Sequence, residues 1–147
     1  MRRRRTAATL AALAVSAAFW SLAGCGDTSA DLFAVTRSPV PGGGAPPSTP
    51  ALTIVARDDG TVTCDRRRRA LPGSLLLDAR QLQRDLASAA TQGVALAPGP
   101  RPVYTYAVRT PAGTLRFADD SPHQPNTFQR VAYFMLQVEQ RVCAEGL

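Results

Sequence analysis

The chain predicts an α+β fold, an antiparallel sheet of about five strands with two helices packed on one face. Two pairs of short segments with alternating apolar residues flank Gly-containing turns, which is typical of β-hairpins. Two longer segments carry apolar residues at helical spacing. With one further short apolar run, the elements follow in the order strand, hairpin, helix, hairpin, helix.

The first 24 residues have the pattern of an export signal. Four arginines (2–5) precede the nearly apolar segment 7–22, which is shorter than the ~20 residues that span a bilayer comfortably. This segment ends in Leu22-Ala23-Gly24-Cys25, which resembles the lipobox of bacterial lipoproteins. The resemblance implies cleavage before Cys25, a diacylglycerol on its thiol, and a lipid anchor on the outer face of the cell membrane. An uncleaved membrane helix is the alternative.

The mature chain is expected to consist of a short tether, residues 25–30, and a single domain, residues 31–147. It carries 13 arginines and 11 acidic residues, so its net charge is +2 and gives no argument for nucleic-acid binding. The chain has no lysine and one histidine, which excludes phosphate-loop NTPases, Schiff-base enzymes and sites built on two imidazoles. This lysine-free, Ala-rich composition is similar to that of actinomycete proteins.

Cys64 and Cys143 are the two cysteines left after lipidation of Cys25. An exported protein permits disulfides, so we expect these two residues to be joined. The bond would close a loop of roughly 80 residues and stabilise the fold by about 4.5 kcal/mol in the chain-entropy model. Two free buried thiols are the alternative.

The first part of the domain is expected to hold a strand at 32–36, a Pro/Gly-rich loop at 38–50, and a hairpin. The hairpin joins 52–57 to 61–65 through the three-residue loop 58–60, in which Gly60 is left-handed. This register places one set of side chains on the core face: Leu52, Ile54, Ala56, Val62 and Cys64.

Four consecutive arginines, Arg66, Arg67, Arg68 and Arg69, follow the hairpin. We expect them to lie in a solvated loop between strand and helix. As an alternative, they are possible anion contacts, binding lipid headgroups, a phosphate or a polyanion such as a wall polymer.

The first helix is expected from Leu75, with Ser74 as its cap and Gly93 as its stop; its apolar face contains Leu75, Ala79, Leu82, Leu86 and Ala90. A second hairpin joins 103–109 to 114–118, most simply through the four-residue loop 110–113. It places Tyr104, Tyr106, Val108, Leu115 and Phe117 on one face.

The second helix is expected to start at Pro125 and Asn126. Its apolar stripe contains Phe128, Val131, Ala132, Met135, Leu136, Val138 and Val142, and Cys143 falls in the same sector. Glu139 also lies in this stripe. We expect its carboxylate to reach the rim of the core and pair with an arginine. The alternative is a buried functional acid.

No catalytic residue, metal site or cofactor is predicted. His123 lies between two prolines in a loop, and nothing sets the separation of a carboxylate pair drawn from Asp119, Asp120 and Glu139. The expected function is therefore a non-catalytic domain that binds a protein or cell-envelope ligand. A hydrolase using Asp119, Ser121 and His123 is the alternative.

A short part of the domain is similar to secreted subtilisin-inhibitor proteins. The similarity lies in Thr61-Val62-Thr63-Cys64, followed by a Pro-Gly loop and a helix. That family has a second cysteine at the start of its first helix and a disulfide-bordered reactive loop, and this chain has neither. Protease inhibition is a further alternative that this resemblance implies.

Overall fold

The computed structural model describes residues 29–144, which form one antiparallel sheet and two helices. Residues 1–28, which include the predicted signal peptide and the predicted lipidation site Cys25, and residues 145–147 lie outside the described residues. The elements are β1 (Asp31–Pro39), β2 (Leu52–Arg57), β3 (Thr61–Cys64), β4 (Arg67–Ala70), α1 (Gly73–Thr91), β5 (Tyr104–Thr110), β6 (Gly113–Ala118) and α2 (Asn126–Val138). A π-helical turn, Glu139–Cys143, ends α2. The α+β class is confirmed, and the sheet has six strands instead of about five, in the order β4-β3-β2-β1-β5-β6.

Strand β1 lies in the middle of the sheet and is longer than the predicted 32–36. Val35 pairs with Ile54 of β2 on one side and with Val108 of β5 on the other, so β1 joins the two hairpins. The prediction was too short because Arg37 and Pro39 resemble loop residues. A register irregularity between Asp31 and Phe33 also breaks the alternation, and both Leu32 and Phe33 are buried.

The hairpin of β2 and β3 has the predicted three-residue loop. Ala56 pairs with Val62, and Gly60 has a φ of 78°, in the left-handed region. All five predicted core residues of this hairpin are buried.

The expectation of a solvated loop at residues 66–69 was wrong, because β4 pairs with β3 along its whole length. Asp65 and Arg66 form the two-residue turn, with φ values of 43° and 79°. Positive φ at both central residues defines the turn type whose twist matches that of the flanking strands. Arginines are tolerated here because an edge strand keeps its side chains near water.

Helix α1 buries the five residues predicted for its apolar face. Its N-cap is Pro72 instead of Ser74, and no side chain caps it. The stop at Gly93 is confirmed, with a φ of 63°. Gly93 N–H donates to the Ala90 carbonyl and Val94 N–H to the Ala89 carbonyl, each at 3.0 Å, which is a Schellman motif.

The hairpin of β5 and β6 has a two-residue loop, since Thr110 pairs with Gly113, and the predicted four-residue loop was too long. The predicted and observed loops differ by an even number of residues, so the same side chains of β5 and β6 face the core as predicted. Val108, Leu115 and Phe117 point into the core. Thr110 Oγ1 accepts the Ala112 N–H at 3.1 Å and thereby holds the tighter turn.

Helix α2 packs on a face slightly rotated from the predicted stripe. Phe134 is buried although it was not predicted, and Leu136 is 41% exposed although it was. The Phe134 ring packs edge-on against Phe33 of β1, with centroids 5.5 Å apart. This contact with the sheet sets the rotation of the helix. Among helices of the described region, none has the length and apolarity needed to cross a membrane.

A disulfide joins Cys64 of β3 to Cys143 of the π-helical turn, as predicted. Their Cα atoms are 5.9 Å apart, and 79 positions separate them in sequence. The bond therefore fixes the end of the last helix to the sheet beside β4.

Candidate functional site

The four arginines of residues 66–69 do not form one patch. Side chains of a strand alternate between the two faces of a sheet, so Arg67 and Arg69 lie on the helix side and Arg68 on the opposite side. Arg66 sits at the tip of the turn and is exposed. The structure thus separates Arg67 and Arg69 from the other two predicted anion contacts.

Arg68 is engaged within the hairpin edge. Its guanidinium forms a salt bridge with Asp59, and its Nε donates to Thr61 Oγ1 at 3.0 Å. Hydrogen bonds from Thr61, above all from its hydroxyl, and the charge of Arg68 together lower the pKa of Asp59 against the opposing effect of desolvation. Arg68 therefore stabilises the local structure and has little capacity left for a ligand.

Arg67 and Arg69 line a groove with a volume of about 460 Å³ between β4 and the end of α2. This volume lies in the range of small-ligand sites. Its apolar wall consists of Leu52, Pro50 and the disulfide, and the remaining lining residues include Thr49, Asp65 and Ala144. Within residues 29–144, no hydrogen bond or ion pair involves the guanidinium of Arg67 or Arg69, and Arg69 Nε is buried.

The third cation of the groove, Arg37, is already neutralised. Its two terminal nitrogens donate to the two carboxylate oxygens of Glu139 at 2.8 and 2.9 Å, in bidentate geometry. Its guanidinium carbon also lies 4.7 Å from the centroid of the Tyr104 ring. Burial acts to lower the pKa of Arg37, but the hydrogen bonds and charge of Glu139 outweigh this effect and raise it. The predicted pairing of Glu139 with an arginine is confirmed.

The partner Arg37 was missed by sequence reasoning, although its position in β1 carries a signal. It follows Phe33 and Val35 at two-residue spacing, and all three are buried. An arginine on the core face of a strand needs a buried counter-charge. Glu139 is the acid that the sequence places in an apolar helix stripe.

The charges of the groove leave a positive excess. Three arginines face it, against Asp65 and Glu139. Glu139 forms an ion pair with Arg37. Asp65 Oδ1 accepts the Thr53 N–H at 3.3 Å. Arg67 and Arg69 therefore have no ion-pair partner in the described part of the chain, and with the charge of Asp65 they leave one net positive charge in the groove.

The residues considered for a hydrolase have structural partners. Asp119 accepts the N–H groups of Val103 and Tyr104 at 3.0 and 3.2 Å, and Asp120 accepts those of Gly99 and Arg101 at 2.9 and 2.7 Å. The two carboxylates thereby hold the Pro-containing connection before β5.

Ser121 is buried and its Oγ accepts the Ala118 N–H at 2.9 Å. His123 is exposed in a turn with a φ of 56°. In the described region, no hydrogen bond joins His123 to Ser121, Asp119 or Asp120. The same region contains no group of three or more His, Cys, Asp or Glu side chains close enough together to hold a metal ion.

The open face of the sheet, opposite the helices, carries two further arginines, Arg109 of β5 and Arg116 of β6. Both side chains are exposed, and in the part of the chain described here neither forms a side-chain hydrogen bond or ion pair. They lie on the opposite face of the sheet from the groove and match Arg67 and Arg69 in charge. Because they line a different cavity, of about 350 Å³, they test whether anion binding is specific to the groove. No family model, no curated protein and no solved structure matches this chain.

Proposed function

We propose that this protein is an extracytoplasmic lipoprotein whose small domain binds an anionic ligand without catalysis. The ligand carries carboxylate or phosphate groups and occupies the groove beside the Cys64–Cys143 disulfide. One observation carries the proposal: Arg67 and Arg69 project into a groove with an apolar wall and have no partner among residues 29–144.

The chemistry of arginine supports this ligand class. The guanidinium is always charged, and its planar fork of N–H donors matches the oxygens of a carboxylate or phosphate. The Arg37–Glu139 pair and the disulfide make one wall of the groove rigid. A rigid wall reduces the ordering cost of binding.

The proposed anchor is the diacylglycerol on Cys25, for which the lipobox is the argument. Ser29 and Ala30 accept the N–H groups of Asp59 and Asp58 at 3.0 and 3.1 Å, so the described chain begins at the turn between β2 and β3. Across the sheet, Arg69 lies in the same row as Phe33, near the start of β1, and Arg67 lies in the row of Val35. Four residues reach at most about 14 Å from Ser29 to Cys25. The proposed anchor would therefore hold the turn between β2 and β3, and with it the Arg69 end of the groove, near the bilayer surface.

Substitution of the anchor residue tests the location. We expect Cys25→Ala in the full chain to move the protein from the membrane fraction to the soluble exported fraction, because two acyl chains give a stable anchor and none remain. Mass spectrometry of the native protein should show a lipidated Cys25 as the first residue. An unchanged distribution of the variant would contradict the proposed anchor.

Ligand binding is tested by calorimetric titration of the detergent-solubilised full chain with pyrophosphate and with citrate at low ionic strength. We expect the double variant Arg67→Gln/Arg69→Gln to lose between about twofold and about thirtyfold in affinity, since two exposed charge pairs together contribute about 0.4–2 kcal/mol. The matched variant Arg109→Gln/Arg116→Gln should bind within about twofold of the wild type. Equal losses in both variants, or no binding of either anion to the wild type, would overturn the proposal.

A further inference from the structure

The two edges of the sheet differ in how they are covered. At the β6 edge, Arg116 donates its N–H to the Val94 carbonyl and accepts the Leu96 N–H, both at 2.9 Å. The connection after α1 therefore occupies the middle of that edge. At the other edge, β4 pairs with β3, and no described residue pairs with its outer side. An uncovered edge is a template for another strand.

The backbone groups that point outward from β4 follow from the hydrogen-bond pattern. Leu71 N–H donates to the Gly60 carbonyl at 2.8 Å, which continues the ladder between β3 and β4. In an antiparallel ladder, residues that bond to the same neighbour recur at every second position. Arg69 and Arg67 therefore face β3, and the N–H and C=O groups of Arg68 and Ala70 face outward. Both of these residues are exposed.

The arginines of β4 determine which strand can use these groups. A second copy of β4 would bring like charges directly opposite each other, which destabilises a strand pair. Acidic side chains would instead lie next to Arg67 and Arg69 on the groove side. An acidic strand is thus favoured by the same charges that prevent self-pairing.

We propose that the ligand of the groove is an extended acidic peptide segment, which adds to the outer edge of β4 as a seventh strand. This inference rests on the proposed function and specifies its ligand. The main chain of the segment would bond to Arg68 and Ala70, and alternate acidic side chains would enter the groove toward Arg67 and Arg69. The main-chain bonds give affinity, and the charged groove gives specificity.

The probe is the peptide acetyl-Glu-Val-Glu-Val-Glu-amide, titrated into the detergent-solubilised full chain. Two analogues carry N-methyl groups, one on the glutamate nitrogens and one on the valine nitrogens. In a strand these two sets of N–H groups point to opposite edges, so only one set can face β4. We expect one analogue to lose at least about tenfold in affinity and the other to bind like the parent peptide.

Equal affinity of the two analogues, whether both match the parent or both fall below it, would overturn strand addition. Binding of pyrophosphate and citrate without binding of the peptide would also overturn it and would leave the proposed function intact. If Arg67→Gln/Arg69→Gln binds the small anions and the parent peptide normally, the proposed function fails together with this inference. Arg109→Gln/Arg116→Gln is again the control and should bind the peptide within about twofold of the wild type.

Discussion

At the scale of single residues, the pair of Arg37 and Glu139 is the most consequential contact. Arg37 is 8% exposed, and both of its terminal nitrogens are bonded to Glu139. A buried charge that loses its partner retains its desolvation cost. Removal of the acid and removal of the base therefore have different consequences.

We expect Glu139→Ala to lower the free energy of unfolding by about 2–3 kcal/mol, less than for a fully buried pair because Glu139 is partly exposed. Arg37→Met should lower the free energy of unfolding by a smaller amount, since methionine can keep the packing against Tyr104 without a charge. Urea unfolding of both variants and of the double variant measures these effects. A larger loss for Arg37→Met, or strictly additive losses, would contradict this account.

At the scale of elements, Gly113 holds the second hairpin close to the end of α1. Its φ is 148°, and a Cβ at this position would lie 2.3 Å from the Ala90 carbonyl oxygen. The nearest atoms all belong to the backbone of Ala90 and Thr91, so no flexible side chain could move aside. The glycine is thus required by both conformation and space.

We expect Gly113→Ala to lower the free energy of unfolding by at least about 2 kcal/mol, through backbone strain and overpacking. The matched control is Gly73→Ala, because a Cβ at Gly73 meets no atom within 4 Å. The control should be neutral or slightly stabilising at the start of α1. Thermal unfolding distinguishes the two substitutions, and equal transition temperatures would argue against the close approach.

The two helices are joined by a charged contact that depends on pH. Arg130 of α2 donates to Asp85 of α1 at 2.7 Å, and Gln81 donates to the same carboxylate. These hydrogen bonds, that of Arg130 first, lower the pKa of Asp85 in the folded state. A lowered pKa stabilises the fold above the unfolded-state value of about 3.9 and ceases to do so as the pH falls through the folded-state value.

We therefore expect Asp85→Asn to be less stable than the wild type at pH 7 and equally stable in strong acid. The difference should shrink as the pH decreases below about 4. Urea unfolding at a series of pH values measures it. A stability difference that persists in strong acid would show that the carboxylate charge is not its cause.

The pattern of correct and incorrect element predictions has a local explanation. Turn residues and two-residue alternation predicted the faces of two hairpins, and helical spacing predicted all five buried residues of α1. Strand β4 was missed because four charged residues favour solvent, and only pairing with β3 makes them a strand. In α2, Phe134 and Leu136 exchanged roles because the contact with Phe33 sets the helix rotation.

At the scale of the whole molecule, the disulfide is the covalent link between distant parts of the chain. It connects β3 to the end of the last helix across 79 positions. Closure of so long a loop removes much of the conformational entropy of the unfolded chain. The bond also forms part of the groove wall, so it affects both stability and the proposed binding.

We expect Cys64→Ala/Cys143→Ala to lower the free energy of unfolding by about 4.5 kcal/mol, out of a typical total of about 5–15 kcal/mol. The oxidised wild type, the reduced wild type and the double variant should be compared by urea denaturation. Reduction should bring the wild type close to the variant. If the free energy of unfolding falls by less than about 1 kcal/mol both in the reduced wild type and in the double variant, the disulfide does not have the stabilising role expected of it.

The sequence by itself determined the core faces of the two predicted hairpins and of α1, the turn at residues 58–60, and which two cysteines pair. These properties depend on periodicity and turn chemistry within a few residues, and the pairing depends on two cysteines that share one apolar core. The tertiary structure alone decided the order of the strands, the edge position of β4, and the meeting of Arg37 with Glu139 from 102 positions away. The groove belongs to this second class, because Arg67 and Arg69 acquire a common face only when β4 pairs with β3 and the last helix closes over it.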